Sequence, residues 1–287
     1  LINKGKTKRQ LEFAELNLKA AEKARRISAF ECATTYVACG ITFLPADAWT
    51  SHRDLTLRLH SIGAEMELAV GRTSAMESYI GAVLSRDDCS EIDKFPLHLC
   101  NIYKLCTVDL RYKDTIEYCL TALKDLGCKI SCNKLLLPVQ AIGSLMRTIK
   151  KAKKLTISEY ENLQPMNDPE QHAAMLLAQR LTIACYLSPS TTNSMILIQA
   201  LVRMVNITLQ HGVGTLSGPA FATLGLLAVA VNGDFASASY FCEVALLFQQ
   251  RKSSKYTSAI TLFNAHSSVL AWVIPLESCL LPISKAY

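Results

Sequence analysis

The chain has 287 residues, half of them hydrophobic and only 19% charged, which leaves either two domains or one elongated stack whose core is renewed repeat by repeat. Nine prolines, twelve glycines and the lack of alternating Val, Ile and Thr runs exclude a β architecture and leave an all-α one. The formal charge of +6 is modest at this length and by itself asks for no more than a solvated surface.

Residues 11–24 place Leu11, Leu16, Leu18 and Ala21 among Glu and Lys, the pattern of a helix with one solvated face. The basic residues before it, Lys4, Lys6, Lys8 and Arg9, lead into charge and do not make a signal peptide. Residues 24–44 continue through Ile27, Phe30, Ala33, Tyr36 and Val37 to Gly40, with Pro45 after the helix end. Trp49 opens a long helix through Leu55, Leu59, Ile62 and Met66 to Gly71, and 72–84 repeats the logic. In the polar turn at 86–90, Ser90 is placed to cap the helix of 91–110. Residues 112–126 carry Ile116, Cys119, Leu120 and Leu123 before Gly127. Residues 135–154 form a helix whose basic end suits its negative pole.

The stretch QPMNDP at 164–169 then breaks the chain, with Asp168 as cap and Pro169 at the first helical position. It sets the expected boundary between two helical-repeat subdomains, 1–164 and 165–287. Beyond it, 170–187 is amphipathic, 188–192 is a turn and 194–210 is apolar almost all round. Residues 204–233 carry no formal charge, but Asn206, Gln210, His211, Gly212, Gly214 and Pro219 interrupt them. That leaves fewer than the roughly 18–20 apolar residues a membrane span needs, so no span is expected. Residues 256–274 make the last full helix, with Trp272 before Pro275.

One complete two-helix unit is legible at 220–247. Gly225 lets a neighbouring helix approach, and Asn232-Gly233-Asp234 forms a turn that Gly233 relieves. Small Ala238 and Ala245 are expected to face large Phe235 and Phe241 across the pair. Residues 112–123 resemble a second such B helix. The expected fold is a set of tetratricopeptide-like antiparallel helix pairs stacked into a right-handed superhelical solenoid, irregular because its turns recur at more than the regular spacing of about 34 residues.

The run SAFECA at 28–33, with Tyr36, Gly40, Trp49, Leu59 and Ala64-Glu65, together with PMNDP at 165–169 and Gly233-Asp234-Phe235, resembles the helical-repeat region of large multidomain AAA-type ATPases of the origin-recognition-complex-like group. The resemblance covers most of the chain in order and rests on hydrophobic patterns. It implies a spacer or regulatory segment of a larger protein, lying between a nucleotide-binding module and sensor kinase, GAF, histidine kinase or cyclase domains. A start at Leu1 without methionine agrees with such a segment. The family's phosphate-binding motif has no counterpart here, so its ATPase activity is not carried over. The partners implied are flanking ATPase or kinase domains, or a peptide in the concave groove.

Residues bearing chemistry are sparse. HGVGTLSG at 211–218 is glycine-rich but lacks the lysine and the preceding strand of a phosphate loop, and reads as a helix-to-helix turn. Cys128 and Cys132, or His52 and His60, have no matching second pair for zinc; His98, His172 and His266 are isolated. Asp87-Asp88 lies in a turn, and Glu65 and Glu67 split across two helix faces, so acid–base catalysis is not expected. Asn206-Ile207-Thr208 matches a glycosylation acceptor by chance, inside an apolar helix. The eleven cysteines, among them Cys32, Cys39, Cys119, Cys185 and Cys242, read as reduced core residues of a cytoplasmic protein. No cofactor, metal or catalytic residue is expected.

The one candidate binding feature is the basic cluster Arg147, Lys150, Lys151, Lys153 and Lys154. It reads either as a solvated helix end or as a contact for an acidic partner, phosphoinositide or nucleic acid. No aromatics interleave with it for base stacking. The expected function is therefore a non-catalytic scaffold for protein–protein interaction, with a nucleic-acid-binding helical repeat as the alternative. A pocket built between helices leaves no mark at this level.

Overall fold

The computed structural model describes residues 2–131, 133 and 135–286, with side chains for 8–131, 133 and 135–285. The described residues are helical throughout, without a strand; one isolated bridge pairs Pro165 with Val213. They divide into two units, Leu1–Arg111 and Tyr112–Tyr287. The break at 164–169 lies inside the second unit, where Val213 N donates to Gln164 O (2.8 Å) and Met166 N donates to Val213 O (3.0 Å).

The first unit contains α1 (Ile2–Arg26), α2 (Phe30–Thr42), α3 (Ala48–Ser51), α4 (Arg53–Ala69), α5 (Thr73–Leu84) and α6 (Glu91–Tyr103), followed by a π-helical turn at Lys104–Val108. The single long helix expected from Trp49 is broken at His52, whose backbone leaves the helical region (φ −138°, ψ 45°). Ser90 caps α6 through a reciprocal box with Asp93, satisfying two N–H groups that a helix start would leave open.

Helices α1 and α2 form a hairpin whose core is mostly small: Ala14, Leu18, Ala21, Ala24, Ala33 and Val37 pack with Leu55, Leu59, Ile62 and Met66 of α4. Arg58 pairs with Glu22, and Arg25 with Glu65 (2.9 Å). The numbers rise together along both helices, so α4 runs parallel to α1. Leu16 and Ile27, expected on the buried stripe, face solvent, because the inward positions at 14, 18, 21 and 24 are set by alanines and one leucine at helical spacing.

The second unit contains α7 (Tyr112–Asp125), α8 (Leu137–Ala152), α9 (Ile157–Glu161), α10 (Pro169–Leu187), α11 (Thr191–His211), α12 (Ser217–Asn232), α13 (Phe235–Arg251), α14 (Lys255–Ser268), a 3-10 turn at Leu270–Trp272 and α15 (Leu276–Ala286). Asp168 accepts from Glu170 N (2.9 Å) and Gln171 N (3.2 Å) above Pro169, as a first-turn proline and an acidic cap should. Helix α11 is long and apolar enough, by length and composition, to cross a membrane; its apolar window has a mean hydropathy of 1.2 and is half buried. It packs on α8, α10 and α12.

Helices α12 and α13 are antiparallel. A Cβ on Gly225 would lie 2.9 Å from Ala238 O, and one on Gly218 would lie 3.3 Å from Ala245 O. Helix α14 then runs parallel to α12: Asn264 donates to Thr223 (3.3 Å), and the same Gly218 position faces Thr261. Ala238, Ala245 and Phe241 are buried as expected, but Phe235 is 41% exposed. It sits in the first turn of α13, beside the link; across the pair Ala238 and Ala245 face Gly225 and Gly218 instead, and Phe221 of α12 packs on Phe241 and Phe248.

Gly233 ends α12 in the left-handed conformation (φ 64°), with nothing within 4 Å of a Cβ built there. Only the backbone then opposes a side chain. Gly233→Val should destabilise the protein by about 1–3 kcal/mol, whereas Gly233→Asn, which tolerates this region, should lie closer to the parent in urea melts.

No two described cysteines are joined by a disulfide. Cys119, Cys185 and Cys242 are buried, but Cys32 and Cys39 are exposed on α2, which corrects their reading as core residues. Burial pushes the thiols of Cys100 and Cys242 up to about 12, leaving them protonated and unreactive.

Three histidines are held neutral. His60 lies between Trp49 (4.9 Å) and Tyr79 (5.8 Å), with Nδ1 donating to Thr56 O (2.8 Å). Burial pulls its pKa below the ordinary 6.5; burial does the same to His266, and burial with the nearby Lys252 to His172. Well above 6.5 neither folded nor unfolded chain protonates these rings. As the pH falls through 6.5 the unfolded chain takes up protons that the folded chain still refuses, so stability is lost on acidification. The urea midpoint should therefore be lower at about pH 5.5 than at about pH 7.5, and His60→Gln should reduce the difference.

Candidate functional site

Helix α8 buries Leu137, Ala141, Leu145, Thr148, Ile149 and Ala152. That register turns Gln140, Ser144, Arg147 and Lys151, spaced four, three and four apart, to one flank. Helix α11 is apolar on most of its surface, yet Gln199, Arg203, Asn206 and Gln210 fall at the same spacing on one side. All of these but Lys151 line a cleft of about 450 Å³, together with Lys129, Ile130 and Val202. A smaller lobe of about 240 Å³ adds Thr148 and Lys151.

The cleft walls are tied together by side chains. Asn206 Nδ2 donates to Thr148 Oγ1 (3.1 Å) and to Val202 O (2.9 Å), joining α11 to α8. Arg203 Nε donates to Cys128 Sγ (2.7 Å), and Gln199 Oε1 accepts from Ser131 N (3.2 Å). Gln199 Nε2, in contrast, is buried without a hydrogen-bond partner. A buried N–H left open in this way is costly.

Four cations, Lys129, Arg147, Lys151 and Arg203, line the cleft and its lobe, and no carboxylate does. None of the four forms an ion pair among the described residues. Several cations elsewhere are matched, Arg53 with Asp93, Arg72 with Glu31 and Glu67, Arg86 with Asp88, and Lys104 with Glu77 and Asp109, while others, Lys150 and Lys154 among them, are exposed. Clustered unpaired cations raise the local potential and concentrate anions.

The expected basic patch is thus divided. Arg147 and Lys151 enter the cleft, Lys153 reaches Asp234 of the α12–α13 turn (3.5 Å), and Lys150 and Lys154 stay in solvent. Lys129, Gln199, Arg203 and Asn206 were not singled out as site residues by the sequence. The signal for the last three was there, as a polar stripe at helical spacing along an apolar helix.

The other candidates are engaged elsewhere. In 211–214 the backbone donors a phosphate cradle would need are already used: Gly212 N bonds Thr208 O (3.0 Å), Val213 N bonds Gln164 O, and Gly214 N bonds Ser217 Oγ (3.0 Å). Asp88 is held by Arg86 through two 2.8 Å bonds, which keep its carboxyl below the usual carboxylate range. Glu65 pairs with Arg25, and buried Glu67 with Arg72. Cys132 lies outside the described residues, and among those described no three His, Cys, Asp or Glu side chains come close enough to hold a metal ion. A scan against protein-family models and searches of curated proteins and of solved structures found no match to the chain.

Proposed function

We propose that this chain is a non-catalytic, tetratricopeptide-like helical-repeat module that binds protein, its antiparallel pairs stacked as a right-handed superhelical solenoid. One observation carries the reading. In each unit a helix is followed by an antiparallel partner and then by a helix parallel to the first: α1, α2 and α4 in one, α12, α13 and α14 in the other. Stacked repeats use this arrangement, because each pair leaves an apolar face that the next helix covers. The likeness of its hydrophobic pattern to the repeat regions of AAA-type ATPases supplies the partner class, an ATPase or signalling-kinase module. Exposed Lys150 and Lys154 offer an acidic segment of such a partner a salt-sensitive contact.

The test is biolayer interferometry of the full chain against isolated AAA-type ATPase and histidine kinase domains. Saturable binding that weakens with salt and in Lys150→Glu/Lys154→Glu is expected; no binding to either class removes the proposed partners. The unpaired cations favour a second reading, a nucleic-acid-binding repeat. Gel shifts at physiological salt decide it, since phosphate contacts alone give a steep salt dependence.

A further inference from the structure

We propose that the cleft between α8 and α11 is a binding site for a multiply phosphorylated polyol, such as a sugar bisphosphate or an inositol phosphate. The inference goes beyond the protein-binding reading and stands apart from it, because Lys150 and Lys154 do not line the cleft.

Charge comes first. Lys129, Arg147, Lys151 and Arg203 arrive from three separate elements, α8, α11 and the segment after α7, with no carboxylate between them. Four like charges brought together by folding repel one another, and an anion of several charges relieves that repulsion. Two of the four are arginines, whose planar forks match phosphate oxygens.

Burial is the second and independent observation. Gln199 has its Oε1 fixed by Ser131 N (3.2 Å), which orients the amide, while its Nε2 is buried and unpartnered at the cleft wall. Turned toward the cleft, the Gln199 side chain presents this N–H to a ligand oxygen and gains the acceptor it otherwise lacks.

Size and lining then narrow the class. A volume of about 450 Å³ falls in the range of small-molecule sites and exceeds what a lone inorganic phosphate fills. The lining contains no aromatic side chain, so it offers a nucleobase no stacking platform. Gln140, Ser144 and Gln210 offer donors and acceptors suited to hydroxyl groups. A phosphorylated polyol carries both the charges and the hydroxyls.

Calorimetric titration of the full chain with fructose 1,6-bisphosphate and with inositol 1,4,5-trisphosphate, at physiological ionic strength, tests the assignment. One-to-one saturable binding to at least one probe is expected. Arg147→Gln should weaken it about tenfold or more, as loss of a charge-assisted bond does. Gln199→Leu should weaken it without changing its salt dependence, since no charge is removed. Lys154→Gln, an equal change of charge outside the cleft, should bind as the parent does. Circular dichroism confirms that each variant is folded. A parallel arm uses vesicles with and without a phosphoinositide bearing the trisphosphate headgroup. Binding to those vesicles with loss in Arg147→Gln supports the same chemistry with a lipid source, and binding to the free probes alone supports a soluble one. No binding to any probe, or equal weakening in Lys154→Gln and Arg147→Gln, overturns the proposal.

Discussion

Replacing Gly212 with alanine is expected to destabilise the protein by about 2–6 kcal/mol, a large effect for one methyl group. Two independent terms contribute. Gly212 has φ 98°, a region that side-chain-bearing residues enter at about 1–3 kcal/mol. Its Cβ would also stand 2.1 Å from Gln164 O and 3.2 Å from Met166 N, so the backbone must move, at about 1–3 kcal/mol more. The displaced carbonyl is the acceptor of Val213 N, and the movement opens the bridge that fastens 164–166 to the link between α11 and α12. Gly143→Ala in α8 is the matched control. Nothing lies within 4 Å of its Cβ, and a helix-interior glycine replaced by alanine gains about 0.5–1 kcal/mol. Urea midpoints of the two variants should move in opposite directions; if Gly212→Ala melts with the parent, the bridge is not structural.

Much of this architecture is written locally. Ser90, Asp168 and Gly233 act where their side chains or backbone freedom predict, because a cap or a left-handed turn depends on a few neighbouring residues. The errors share a different cause. Leu16, Ile27 and Phe235 were placed inward for being large and apolar, yet the α1 stripe is set largely by alanines and Phe235 is carried outward by its place beside the turn. Cys32 and Cys39 stand in an apolar helical context that predicts burial, yet α2 turns both to solvent. The break at 164–169 is real as a chain feature, but its partner is Val213, some fifty positions on, and no local pattern announces that pairing.

The cleft was half legible for the same reason. Arg147 and Lys151 were visible as part of a basic run, but a linear run cannot separate them from Lys150 and Lys154. The register of α8 does so, by burying Leu145, Thr148 and Ile149 and sending the cations to different sides. Their companions on α11 lie about fifty residues away. An unpaired cation becomes informative only when the acids that could have paired with it are seen to be elsewhere.

Phe221→Ala should be the most damaging core change in the second unit, at about 3–5 kcal/mol. Phe221 is fully buried on α12 and meets three rings edge-on: Tyr160 at 5.5 Å, Phe248 at 5.2 Å and Phe241 at 6.4 Å. Such pairs contribute about 0.5–1.5 kcal/mol each beyond the area they bury. The loss should reach past α12 and α13, because Tyr160 comes from the five-residue α9, which is too short to persist without tertiary packing. Tyr160 also ties α9 to its surroundings: its hydroxyl donates to Ala152 O (2.8 Å), and its carbonyl accepts from Arg251 Nη1 (2.9 Å). Tyr160→Phe keeps the ring and leaves Ala152 O without that donor, so it should cost about 1–3 kcal/mol. Phe235→Ala is the decisive comparison, being the same substitution in the same helix pair at a position the sequence favoured. With Phe235 41% exposed, it should cost about 1 kcal/mol, well short of the loss at Phe221. Chemical denaturation of the variants ranks them. A larger loss at Phe235 than at Phe221 would mean that α13 is rotated relative to α12, and with it would go the Gly225–Ala238 approach on which the helix-pair reading rests.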